Sequence, residues 1–247
     1  MPNTDRLKNI RVVLCGTNHP GNIGAAARAL KTMGLSRLYL VAPERFPDPE
    51  ADWRASRATD VLARATMCAS LDEALSGVAL AVACSARSRE VAVPQVSARE
   101  AAQQLVDVAR AQQAALVFGN ETSGLTTADV NKCRLLATIP ANPKYSSLNL
   151  AAAVQVLAYE LRMAATDGAA GGQPRTLASF EEVERFYAHL ERTMVEIGFL
   201  NPEHPKKLMP RLRRLFARAQ LEKEEVNILR GILKSFRRPK AARSKKA

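Results

Sequence analysis

Two hydroxyls and an amide, those of Ser146, Ser147 and Asn149, fall between a proline-bearing turn and an alanine- and leucine-rich run. At a helix start such groups either cap backbone N–H groups or help hold a ligand, because the first turn leaves its N–H groups unpaired at the positive end of the dipole. Both uses stay open on these residues alone. A second polar pair, Asn22 and Arg28, is spaced to set an amide at a helix entrance and a guanidinium nearly two turns along. An arginine placed so serves as a solvated charge or as a partner for a phosphate. The surrounding His19-Pro-Gly-Asn-Ile-Gly is neither Gly-x-Gly-x-x-Gly nor a Walker loop, which argues against a nucleotide-phosphate cradle. Two further turns carry polar groups that can meet the others: Cys84-Ser-Ala-Arg-Ser-Arg89 and Gly119-Asn-Glu-Thr-Ser-Gly-Leu125, the latter holding the carboxylate of Glu121.

The elements that must position these groups alternate between strand and helix. Residues 10–15 read as a strand leading into the 16–24 turn, residues 25–33 as a helix closed by Gly34, and residues 38–41 as the next strand, a βαβ unit. Continuous apolar runs at 79–84 and 115–118 are typical of buried parallel strands, and Ser70-Leu-Asp-Glu73 and Ser97-Ala-Arg-Glu100 fit capping boxes that start helices. The segment 43–60, with Pro43, Pro47, Pro49 and the single tryptophan, Trp53, reads as an ordered surface loop. A short strand over 137–139 precedes Pro140 and Pro143, and Leu150, Val154, Leu157, Ala158 and Leu161 recur at helical spacing after Leu148. Ligands bind at the carboxyl ends of strands in open α/β sheets, so the turns that follow the strands can converge on one edge.

With 247 residues and 47% hydrophobic content, the chain has room for one sizeable α/β domain plus a smaller unit. No apolar run approaches the ~20 residues of a membrane span and the N-terminal stretch lacks an apolar signal core, so a cytoplasmic protein without membrane attachment is expected. Cys15, Cys68, Cys84 and Cys133 lie far apart with only His19, His189 and His204 to join them; neither a zinc site nor a disulfide framework is indicated, and no metal is expected. The net charge of +12 points to a polyanionic partner, RNA or DNA.

Past a glycine-rich linker at 166–176, residues 177–238 read as a small basic unit of amphipathic helices and 239–247 as a disordered basic tail. Ser179-Phe-Glu-Glu182 is another capping box, and Phe180, Val183, Phe186, Tyr187, Leu190 and Met194 make one stripe. The next helix carries Lys206, Lys207, Arg211, Arg213, Arg214 and Arg218 with no acid among them, opposite Leu208, Leu212, Leu215 and Phe216. Its uninterrupted basic side is the signal for nucleic acid.

Taken in order, His19-Pro-Gly-Asn-Ile-Gly-Ala-Ala-Ala-Arg28-Ala-Leu, Phe118-Gly-Asn-Glu121-Thr-Ser-Gly-Leu and Ser146-Ser-Leu-Asn149-Leu resemble motifs 1, 2 and 3 of the SPOUT RNA methyltransferases of the TrmH family. Ser85-Ala-Arg-Ser-Arg, Ala141-Asn-Pro-Lys-Tyr and Arg230-Gly-Ile-Leu carry the resemblance over nearly the whole chain, toward the TrmJ family of tRNA 2′-O-methyltransferases that act on the cytidine or uridine at position 32. The resemblance implies an α/β fold with a mostly parallel sheet and a trefoil knot, a small all-helical C-terminal extension, S-adenosyl-L-methionine bound in the knot, a homodimer that completes the site, and tRNA as substrate. By motif position it places Cys84, Ser85, Ala86, Gly119, Ile139, Ser146, Ser147 and Leu148 at the cofactor, and it makes Asn22, Arg28, Glu121, Ser147 and Asn149 the catalytic polar set. Asn120 departs from the pattern, since some related proteins carry arginine there. For Arg28 we expect a role in positioning the ribose and its phosphate, because deprotonating a guanidinium at neutral pH costs about 7 kcal/mol. The competing expectations are a ribosomal RNA substrate and a catalytically silent RNA-binding protein, the second of which has no need to keep Arg28, Glu121 and Asn149 together.

Overall fold

The computed structural model describes residues 4–86, 93–166 and 176–236. Arg87, Ser88 and Arg89, nearly all of the expected linker and the basic tail lie outside the described residues. Seven strands, β1 Ile10–Cys15, β2 Arg37–Val41, β3 Thr66–Cys68, β4 Val78–Cys84, β5 Gln95–Ser97, β6 Gln113–Phe118 and β7 Leu135–Thr138, form one sheet in the order β3-β2-β1-β6-β4-β7-β5. Every pairing is parallel. The mostly parallel α/β sheet expected from the sequence is therefore the architecture found.

The central strands β1, β4 and β6 are largely apolar because both of their faces are covered. Ile10, Val12 and Leu14 of β1 and Ala114, Leu116 and Phe118 of β6 point into one core, shared with α1 Pro20–Met33, α5 Ala98–Val108 and α7 Leu150–Thr166. Val13, Ala115 and Val117 point the other way, toward Leu71 and Leu75 near α4 Leu71–Ala74 and Val130 of α6 Thr127–Lys132. All five apolar positions expected on α7 are buried.

Several boundaries differ from the sequence reading, each for a local reason. α1 begins at Pro20, five residues early, because proline suits the first helical position and the His19 ring accepts from Gly21 N at 3.2 Å. The segment 43–60 is largely helical rather than a loop: Asp48 caps Glu50 N at 2.9 Å, Pro49 opens α2 Pro49–Ala55, and α3 Thr59–Ala63 follows. A Cβ on Gly24 would sit 2.0 Å from the Ala51 carbonyl oxygen, so glycine lets α2 rest directly on α1. β7 ends at Thr138, one residue before the expected end, and β3, β5 and α6 were too short to carry a legible period.

The C-terminal helices α8 Phe180–Glu196, α9 Leu208–Ala219 and α10 Lys223–Phe236 enclose their own small core of Phe186, Tyr187, Val226 and Leu233, with the Phe186 and Phe216 rings edge to face at 5.0 Å. They dock at the amino ends of the strands. Gln112, just before β6, exchanges two hydrogen bonds with the Leu177 backbone at 2.8 and 3.0 Å. Arg134, just before β7, donates to Ala178 O at 2.6 Å, and Gly77 N, just before β4, donates to Glu181 at 2.8 Å. Two expectations for α9 are corrected here. Arg213 leaves the basic face to bind Glu184, and Leu215 is 48% exposed rather than part of the apolar side.

Candidate active site

At the opposite edge, the carboxyl ends of β4, β6 and β7 open onto a pocket. Its walls are Cys84 at the end of β4 with Ser85 and Ala86 after it, Phe118 and Gly119 to Glu121 at the end of β6, Ile139 after β7, and Ser147, Leu148, Leu150 and Ala153 around the start of α7. Seven of the eight residues expected at the cofactor line it; Ser146 does not. A Cβ on Gly119 would lie 2.1 Å from the backbone of Gly124 and Leu125, so only glycine permits the chain to fold back on itself here. Asn120 holds that fold-back. Its Oδ1 accepts from Thr122 N, Ser123 N, Ser123 Oγ and Gly124 N at 3.1, 2.7, 2.9 and 3.2 Å. The Asn120 side chain is thus spent inside its own turn, a role the sequence reading missed; Asn followed by small polar residues and glycine is the signal that was available.

Three residues from distant parts of the chain meet beside the pocket. Asn149 Nδ2 donates to Asn22 Oδ1 at 3.0 Å, and Asn22 Nδ2 donates to Glu121 Oε1 at 2.7 Å. Asn149 also caps α7, accepting from Ala151 N and Ala152 N at 2.9 and 3.3 Å, so the cap and the ligand-edge readings of this residue hold together. Glu121 further accepts from Asn18 N at 3.0 Å and His19 N at 3.3 Å, donors that no side-chain pattern discloses. Burial pushes its carboxyl up, but these N–H groups and the Asn22 amide outweigh that and hold it below the usual carboxylate range. A carboxylate with its oxygens so engaged is a brace between α1 and the β6 turn and a weak proton acceptor.

Arg28 is not brought to the pocket. It lies exposed on α1, and its guanidinium has no hydrogen-bond or ion-pair partner among the described residues. Cys84 contributes a neutral wall, since burial pushes its thiol up to about 12. Among the described residues no group of His, Cys, Asp and Glu could hold a metal ion, and no helix is long and apolar enough to cross a membrane. The arrangement offers apolar walls with a polar edge, which suits a small ligand that has both an apolar and a hydrogen-bonding part.

Comparison with known proteins finds relatives over most of the chain. The SpoU rRNA Methylase family model matches residues 9–159, and the model for the C-terminal domain of tRNA methyltransferase TrmJ matches residues 181–247. The tRNA (cytidine/uridine/adenosine-2′-O-)-methyltransferase TrmJ of Pseudomonas aeruginosa is 50% identical over 241 residues, 92% of this chain and 93% of that protein. The tRNA (cytidine/uridine-2′-O-)-methyltransferase TrmJ of Pectobacterium atrosepticum is 50% identical over 236 residues, 94% and 98% of the two chains. The crystal structure of TrmJ from Z. mobilis ZM4 is 33% identical and superposes with a TM-score of 0.79 over 92% of this chain and 99% of that one.

Proposed function

Because this chain belongs to the TrmJ family of tRNA 2′-O-methyltransferases, we propose that it uses S-adenosylmethionine to methylate the ribose of cytidine or uridine at position 32 of the tRNA anticodon loop, in the cytoplasm and as a homodimer. The observation that carries this reading is the Asn149–Asn22–Glu121 chain of hydrogen bonds, which joins three motifs at the rim of one pocket. The pocket lining fits the cofactor: Ile139, Leu148 and Leu150 offer apolar surface, and Ser85, Gly119 and Ser147 offer polar and backbone groups. When bound, S-adenosylmethionine supplies an electrophilic sulfonium methyl, and its transfer to an oxygen neutralises that charge. What remains for the protein is to align the ribose hydroxyl, whose proton is lost late, to solvent.

Asn22, Glu121 and Asn149 fix the rim, Ser147 sits at the pocket edge, and Arg28 holds the ribose and its phosphate as a fully protonated fork. The absence of Arg28 from the lining of its own pocket, with Tyr159 and Met163 exposed one turn apart on α7, supports a second copy that brings an Arg28 to each site. The trefoil knot, the 1–165 catalytic domain, the 166–176 linker, the 177–238 RNA-binding unit and the 239–247 tail belong to the same reading. The five outward cations at Lys206, Lys207, Arg211, Arg214 and Arg218 supply the tRNA contacts. The test is transfer of label from tritiated S-adenosylmethionine to two tRNAs that differ only by a 2′-deoxy nucleotide at position 32. Label enters the normal tRNA alone if the reading holds; equal labelling of both removes position 32, and label on a base removes the reaction class.

A further inference from the structure

Between Ile139 and Ser147, two walls of the pocket, the chain makes an outward turn. Lys144 N donates to Asn142 Oδ1 at 3.0 Å and Tyr145 N donates to Asn142 O at 2.8 Å, while Pro140 and Pro143 restrict φ in and before the turn. The turn leaves Tyr145 83% exposed, the highest value for any large apolar side chain among the described residues. Lys144 beside it is exposed and pairs with no acid among the described residues. Two and three positions further, Ser147 and Leu148 line the pocket. A ring held in water by an ordered turn, next to an unpaired cation and a ligand pocket, gains burial only when something covers it.

The inference rests on the methyltransferase reading above. A ribose hydroxyl reaches a concave site when its nucleotide leaves the stack, and the freed base then needs another surface. We propose that Tyr145 is that surface: its ring stacks on the base of the target nucleotide, and Lys144 faces the adjoining phosphate. A ring face accepts any base, whereas a hydrogen-bonding pocket for one base edge rejects the others, so stacking accounts for tolerance of both cytosine and uracil. No side chain reading a base edge is required at this rim.

The experiment compares the full-length protein with Tyr145→Ala and Tyr145→Phe on two tRNAs, one intact and one whose target nucleotide keeps its ribose but lacks a base. On intact tRNA, Tyr145→Ala lowers kcat/KM by about 10- to 100-fold, chiefly through KM for tRNA, and Tyr145→Phe stays near the parent protein. Affinity for S-adenosylmethionine and the melting temperature stay unchanged. On the abasic tRNA the parent protein and Tyr145→Ala become equal, because the ring has nothing to stack on. An equal loss for Tyr145→Ala on both tRNAs overturns the proposal, as does full activity of Tyr145→Ala on intact tRNA, or its failure to dimerise, which marks the ring as covered by a second copy. If the parent protein methylates no intact tRNA, the underlying methyltransferase reading fails instead, and the ring's assignment falls with it.

Discussion

At the carboxyl edge of the sheet the walls are apolar side chains, glycines and neutral polar groups, and the one carboxylate, Glu121, is tied down by three N–H donors. At the amino edge a three-helix unit packs rings around an ion pair and turns its remaining cations outward. The two edges lie one strand length apart, roughly 20 Å for a seven-residue strand such as β4. Under the proposed function the contrast reads as a division of labour: a pocket that takes a positively charged sulfonium would have little use for fixed cations, while a surface that takes tRNA phosphates would need them and have little use for precise geometry. Arg28 is the exception, an exposed cation without an acid partner among the described residues on the helix that begins at the pocket rim, where the other cation, Lys31, pairs with Asp60.

Replacing Arg28 by Ala is the largest expected break. The residue is exposed and alanine is a better helix former, so the fold and cofactor binding stay intact while kcat/KM falls on the order of 10²- to 10³-fold. Near-normal turnover by Arg28→Ala removes its substrate role. At the other edge, the combined change Arg211→Ala, Arg214→Ala, Arg218→Ala weakens tRNA binding about 10- to 100-fold and lowers the slope of log K against log salt by about 2–3. Cofactor titration is unaffected; a parallel loss there erases the proposed division.

Glu121 gives a smaller effect that is read through pH. Its folded-state pKa lies below the ordinary value, so the stability it contributes is complete above about pH 5 and is lost as pH falls through the ordinary value toward the folded one. Glu121→Gln keeps the shape but turns an amide toward N–H donors, and costs about 2–3 kcal/mol by denaturant unfolding at pH 7. The two proteins converge only once the pH has fallen below the lowered folded-state value. A gap that persists undiminished at pH 3 shows that the charge of Glu121 is not what holds the rim.

The strands of the sheet centre were legible because burial on both faces leaves continuous apolar runs, and Ser97, Ser179 and Asn149 marked helix starts by their side chains. The pocket lining was legible only through motif order. Its walls mix apolar side chains with glycines and small polar residues drawn from four separate stretches of the chain, so no single stretch discloses it. The Asn18 and His19 N–H groups, the doubled-back turn held by Asn120 and the helical 49–63 segment depend on tertiary pairing or on caps inside a proline-rich stretch. Arg213 was misplaced because six cations without an acid look alike in one dimension. Its acid, Glu184, sits on the neighbouring helix.

Arg213 and Arg214 are adjacent on α9 and divide the two uses of arginine between them. Arg213 donates through Nη1 and Nη2 to both oxygens of Glu184 at 2.6 and 2.7 Å, and its guanidinium lies 4.3 Å from the centre of the Tyr187 ring. Arg214, one residue on, is exposed. Arg213→Ala therefore strands a half-buried carboxylate and uncovers a ring. After allowance for the partial exposure of both partners, the expected cost is about 1–2 kcal/mol, at about 2–4 °C in Tm for each kcal/mol in a chain of this size. Arg213→Lys recovers little, because an ammonium cannot match the two-pronged geometry. Arg214→Ala stays within about 0.5 kcal/mol of the parent protein in stability yet weakens tRNA binding and reduces its salt dependence. Thermal melts and salt-dependent tRNA titrations of the three variants separate the roles. If Arg213→Ala melts like the parent and loses tRNA binding as Arg214→Ala does, the ion pair with Glu184 opens in solution and all six cations face the RNA.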